Sequence, residues 1–258
     1  MNSIDPVRKI ESIAINAWPA EEIVPLDGWR LRAAQGVTGR ANSVWCCASG
    51  DHLPLEQKLE QAEQFYRERG LPARFQLTPA SLPANLDEVL AERGYEYFSP
   101  TAVMTAELTT LLSHTTPLRL NPEFEVEVSE EFDEEWFDLY CEAEQVSYQT
   151  SSVRGAILQR IRPPVAFVSL CIDGALAAIA LGVVEKEWLG IFNVETHHDF
   201  RRRGAATALA RTLAIWAQTQ NASQAYLQVV ANNAPAIALY QKLGFSTLYH
   251  YHYRIKRS

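Results

Sequence analysis

The chain has 258 residues, of which 47% are hydrophobic and 21% charged, with a formal net charge of −8. That is enough chain for one large domain or two of about 100–150 residues, each with its own core, and the composition is that of a globular protein. The acidic balance argues against nucleic acid as a general partner, no run approaches the ~20 apolar residues of a membrane span, and the start MNSIDPVRKIESIA has no apolar signal core.

In chain order, RANSVWCC (Arg40 to Cys47) reads as a strand. Its adjacent Cys46-Cys47, with Cys141 and Cys171 far away, forms neither a CxxC motif nor a metal-ligand spacing. A reduced, cytoplasmic protein without a metal is the expectation. A turn, Gly50-Asp51-His52-Leu53, leads into a helix over Pro54 to Arg69. Ala73 to Tyr95 then reads as strand, short loop, amphipathic helix, glycine, aromatic. Thr109 to Pro122 reads as a joint, which divides the chain into 1–112 and 113–258.

Beyond the joint come a strand (Glu123–Val128), a helix (Phe132–Glu144) and a helix (Val153–Ile161). The acidic run Glu130, Glu131, Asp133, Glu134, Glu135 and Asp138 suits a solvated helix start, where the dipole favours negative charge. Strands follow at Val165–Ile172, Ala175–Val184 and Trp188–Glu195, the first two joined by an Asp173-Gly174 turn. A helix (Ala205–Gln220), a strand (Gln224–Val230), a helix (Ala234–Leu243) and strands around Ser246–Tyr249 and Tyr251–Lys256 complete the chain.

The chemistry is concentrated in IFNVETHHDFRRRGAAT (Ile191 to Thr207), where a strand meets a basic turn of small residues and then a helix. Gly204, Ala205 and Ala206 leave backbone N–H groups open at a helix N-terminus, a ready seat for an anion such as pyrophosphate. Arg201, Arg202 and Arg203 add charged donors beside it. Downstream, Asn232-Asn233 offers an N-cap, Pro235 falls in the first helical turn, and Gly244 ends the helix. The two motifs, [Arg/Gln]-x-x-Gly-x-[Gly/Ala] and NxxAxxLYxKLGF, resemble the signature of the GCN5-related N-acetyltransferases (GNAT), and Phe192 to Phe245 is similar to the ribosomal-protein alanine N-acetyltransferases in particular. The first half is a faint copy of the second in the same order: Gln76 matches Gln228, Gly94-Tyr95 matches Gly244-Phe245, and Leu90 stands where Tyr240 does. It carries Asp51 and Pro54 where the second half has its basic, amide-rich turn, which suits a degenerate copy unable to hold a phosphate.

The resemblance implies an α/β fold with a mixed sheet, a tandem GNAT acyl-CoA N-acyltransferase, with a degenerate domain over 1–112 and a catalytic domain over 113–258. It implies acetyl-CoA as co-substrate, held by Val194, Glu195 and Thr196 of the bulged strand and by Arg201, Arg202, Arg203, Gly204, Ala205, Ala206 and Thr207, with Asn233 touching the cofactor or only capping its helix. Tyr240 matches the family's general acid, which protonates the leaving thiolate; as ordinary structure it is a core tyrosine. A glutamate base of the alanine N-acetyltransferases falls on Gln228, which cannot accept a proton. Glu195 is the nearest replacement, His197 and His198 are alternatives, and an amine already neutral needs no base. Glu142, Glu144 and Tyr148 border the place where the family's acceptor enters. The expected activity is acetyl transfer to a primary amine of a small molecule or peptide by a monomer or homodimer, with no membrane or nucleic-acid partner; the alternative is a non-catalytic acyl-CoA-binding module.

Overall fold

The computed structural model describes residues 4–50, 52–115 and 122–256. Asp51, residues 116–121 of the expected joint and residues 257–258 lie outside them. The chain divides into two compact units, Met1–Ala102 with Leu248–Ser258, and Val103–Thr247. The structural division thus differs from the expected one at 112/113 in two places, since the first unit ends at Ala102 and takes in Leu248–Ser258.

The first unit opens with helix α1 (Asp5–Ala17), which starts with Pro6 in its first turn and buries Val7, Ile10 and Ile13. Strands β1 (Glu22–Leu26) and β2 (Trp29–Ala33) form an antiparallel hairpin. Strand β3 (Val44–Trp45), helix α2 (Leu55–Glu68), strand β4 (Ala73–Leu77) and helix α3 (Leu86–Glu92) follow, with β3 and β4 parallel. The core beneath is aromatic, with Trp29 edge-on to Phe75 at 5.7 Å and Phe75 edge-on to Tyr95 at 5.6 Å. Strand β5 (Glu96–Glu107) leaves this unit, and helix α4 (Leu108–Thr115) occupies part of the stretch expected as a joint.

The second unit holds β6 (Phe124–Ser129), α5 (Glu134–Ala143), α6 (Tyr148–Gln159), β7 (Val165–Ile172), β8 (Ala175–Glu185), β9 (Trp188–Thr196), α7 (Ala205–Thr219), β10 (Gln224–Val230) and α8 (Ala234–Lys242). Its strand order is β10-β9-β8-β7-β6, antiparallel except for the β9–β10 pair. The expected element order of this half is present, with one correction. The two expected closing strands are one continuous strand, β11 (Ser246–Lys256), because alternating aromatics at Tyr249, Tyr251 and Tyr253 all bury on one face. Its His252–Lys256 segment pairs antiparallel with β4 inside the first unit.

Two packing features position the site. Helix α7 lies on β7, β8 and β9, and Gly182 permits the approach, because a Cβ there would fall 2.5 Å from Leu213 Cδ2. Helix α5 is fixed to the sheet by buried Trp136, whose Nε1 donates to the carbonyls of Val168 and Ala180 at 3.2 and 3.3 Å. Asp133 caps α5, accepting from the Trp136 amide at 2.6 Å, so part of the acidic run has an ordinary structural use.

Candidate active site

Strands β9 and β10 run parallel and pair only from Trp188/Gln224 to Ile191/Leu227. Both continue past the last pair, β9 to Thr196 and β10 to Val230, so their C-terminal ends leave an opening in the ladder. A bulge on β9 accompanies it. Leu181 faces Phe192 and Ile179 faces Glu195, so Asn193 and Val194 both stand opposite Ala180. Asn193 takes φ 48°, and its side-chain nitrogen is buried without a hydrogen-bond partner. A bulge bends and twists its strand, which turns Val194, Glu195 and Thr196 out of line with β10.

After a single 3-10 turn over His198–Phe200, the chain enters α7 through Arg202 at φ 64° and Gly204 at φ 93°. The first bonds within the helix run from Thr207 and Ala208 to the Gly204 carbonyl, both 3.1 Å. The amides of Ala205 and Ala206 thus have no acceptor in the helix. A Cβ on Gly204 would meet no protein atom within 4 Å, so the space before the helix end is open. Arg201 lies back on β9, donating from Nε to the Thr196 carbonyl at 3.2 Å, and Arg203 turns to Glu123 at 2.6 Å.

Glu195 sits half-buried at the open end of β9, next to a second carboxylate, Glu144 at the end of α5. Its pKa is pushed up to about 7, first by burial, then by the negative charge of Glu144, against the opposing pull of Arg201. Tyr240 is buried on α8, edge-on to Phe245 at 5.7 Å. Burial and then the charge of Glu195 raise its hydroxyl above the ordinary tyrosine range. The charge of Glu195 thus reaches Tyr240, although the two lie far apart in sequence.

Other expected residues fare differently. Asn233 caps α8, its Oδ1 accepting from the Ala236 amide at 3.1 Å, which is the structural of its two expected uses. Gln228 follows the last paired residue of β10. Tyr148 begins α6 and is almost fully exposed. No metal was expected; among the described residues, His197, His198 and Asp199 bring ligand atoms within 4.8 Å of one another. Asp199 lies 3.2 Å from His198 Nε2 and 3.8 Å from His197 Nδ1, while Glu142 lies 3.8 Å from His197 Nε2. Cys46 is fully buried, its thiol pushed up to about 12, so it is chemically quiet. Sequence reasoning missed Arg154 of α6, which reaches Glu144 at 3.6 Å across the α5–α6 hairpin; nothing in the spacing marks it.

A ladder opening at a β-bulge, with an amide-lined helix start beside it, is the frame of a GNAT acetyltransferase, and relatives agree. An uncharacterized N-acetyltransferase, YobR, of Bacillus subtilis is 35% identical over 98% of this chain and 100% of its own. The [Ribosomal protein bS18]-alanine N-acetyltransferase of Salmonella typhimurium is 37% identical over 31% of this chain and 53% of its own length. In fold the chain is similar to a solved GCN5-related N-acetyltransferase from Kribbella flavida (TM-score 0.73, 18% identity, 97% of this chain and 95% of that one). It is also similar to a tandem GNAT protein from the clavulanic acid biosynthesis pathway (TM-score 0.59, 13% identity, 78% and 69%). The chain belongs to the family described as "Probable histone acetyltransferase Rv0428c C-terminal", which matches residues 5–255. It is an acetyltransferase of the GNAT superfamily.

Proposed function

We propose that the second unit transfers an acetyl group from acetyl-CoA to a primary amine of a small molecule or peptide. The observation that carries this is the opening between β9 and β10 at the bulge, beside the amide-lined start of α7, with Glu195 at the open end of β9. The residues present suit the cofactor: the open space before Gly204 and the amides of Ala205 and Ala206 can take a pyrophosphate, with Arg201 and Arg202 beside them and Val194 to Thr196 along the bulge. When bound, acetyl-CoA supplies an activated acyl group on sulfur. Glu195 in its carboxylate form takes a proton from the incoming ammonium at Oε, and Tyr240 holds at its hydroxyl the proton that the departing sulfur requires.

The first unit, in this reading, holds no cofactor, because its equivalent turn carries its own anion. The Asp27 carboxylate accepts from the amides of His52 and Leu53, both at 3.2 Å, as the chain approaches α2. Lys58 of α2 donates to the Asp27 carbonyl at 2.7 Å. A Cβ on Gly50 would fall 2.2 Å from the Asp27 carbonyl oxygen, so the space is filled where that before Gly204 is open. The equivalent strand pair is still parallel in both units, β3–β4 and β9–β10, which supports a tandem origin with one copy closed.

The test is thiol release from acetyl-CoA over a panel of small amines and peptides with free N-termini. Turnover of a primary amine is expected. Binding of acetyl-CoA without turnover across the panel would favour the binding-module reading, which Gln228 in the expected base position makes the rival.

A further inference from the structure

We propose that Arg154 is a positioning residue that holds Glu144 against Glu195 and so sets the protonation behaviour of the acceptor side of the site. The inference rests on the proposed role of Glu195 as base. Arg154 is largely buried, and its Nη1 is anchored on the Tyr140 hydroxyl at 2.6 Å. Tyr140 is itself fixed, 2% exposed and stacked on Trp136 at 5.9 Å, and Trp136 is bonded to β7 and β8. The same Nη1 lies 3.6 Å from Glu144 Oε2. Glu144 is the C-cap residue of α5 and half exposed, so without this partner nothing in α5 obliges its side chain to face inward. With it, a line of contacts runs Trp136–Tyr140–Arg154–Glu144, from the core to the end of α5, and that end lies against the end of β9, where Glu142 is 3.8 Å from His197 Nε2.

The consequence is electrostatic. A negative charge held beside a carboxyl disfavours its ionisation, so Glu195 keeps its proton longer than it would alone. The groups that face Glu195 are Glu144 from α5, Arg201 from the turn after β9 and Tyr240 from α8. Glu142 from α5 and His197 pair with each other at 3.8 Å. Arg154 acts on Glu195 through Glu144, the carboxylate it lies beside.

The experiment is an infrared titration of the carboxyl C=O band of the free protein, identified as the band that Glu195→Gln removes, together with the pH profile of kcat/KM for an amine that turns over. Both Glu144→Gln and Arg154→Ala are expected to move the titration of that band, and the rising limb of the profile, down by about 1 pH unit. The double variant should move it no further than Glu144→Gln alone, because the two act in series. Arg154→Lys, which keeps the charge but not the forked donor geometry, should restore part of the shift. A band unmoved in Arg154→Ala, or shifts that add in the double variant, overturns the inference. A uniform fall in kcat with an unmoved limb overturns it as well, since that marks a purely structural role. If the band shifts as expected but Glu195→Gln leaves the rising limb intact, the base role of Glu195 fails while the positioning by Arg154 stands.

Discussion

At the scale of single residues, the site is a contest between burial and charge. Half-buried and beside the charge of Glu144, Glu195 has its pKa pushed up to about 7. The rate should therefore rise with pH as Glu195 loses that proton, and Glu195→Gln should remove the limb. Profiles recorded with two amines of different pKa separate this limb from deprotonation of the substrate: one that follows the amine and survives in Glu195→Gln means that the protein only positions a neutral amine. Tyr240 has the opposite task. Burial and the neighbouring negative charge keep its hydroxyl protonated, as a donor must be. Tyr240→Phe should lower kcat by roughly 10²–10⁴-fold with little change in acetyl-CoA affinity, measured by steady-state kinetics and calorimetry.

At the scale of elements, the start of α7 carries the cofactor reading. Its unpaired amides and the left-handed Gly204 leave an open, positively polarised end. Gly204→Glu should weaken CoA binding by roughly tenfold or more, since it puts a negative charge where the phosphate sits. Unchanged affinity by calorimetry would remove α7 from the cofactor site. Much of this element was legible in the sequence, because a glycine in a basic turn before an amphipathic helix constrains the backbone locally. The fates of the three arginines were not legible. Arg203 is taken by Glu123, 80 residues away, and Arg201 by its own strand end.

At the scale of the whole chain, the two units differ in where a buried anion sits. In the second the anion seat is open, while in the first Asp27 fills it, so calorimetry should find one CoA per chain. Two would overturn the reading of the first unit as closed. The first unit also contains Glu11, fully buried, accepting from the Tyr249 hydroxyl at 2.6 Å and the Gln76 amide at 2.9 Å. Its pKa is raised from 4.5 to about 7, chiefly by burial. A raised folded-state pKa means that folding favours the protonated form. Stability should be greatest below about pH 4.5 as far as this group is concerned, and fall as pH rises to about 7, by at most roughly 3 kcal/mol. Denaturant melts of Glu11→Gln should show that slope reduced between those values.

The sequence by itself determined the order of strands and helices in the second half and the placement of the amide-rich turn and of Tyr240. These depend on local period, capping and turn chemistry, which neighbouring residues set. Only the tertiary structure decided that β11 is one strand pairing with β4, that Asp27 fills the first unit's turn, and that Glu144 and Arg154 join Glu195. Each of those depends on residues distant in the chain meeting, and the strength of a charge there is set by what surrounds it, which no local pattern records.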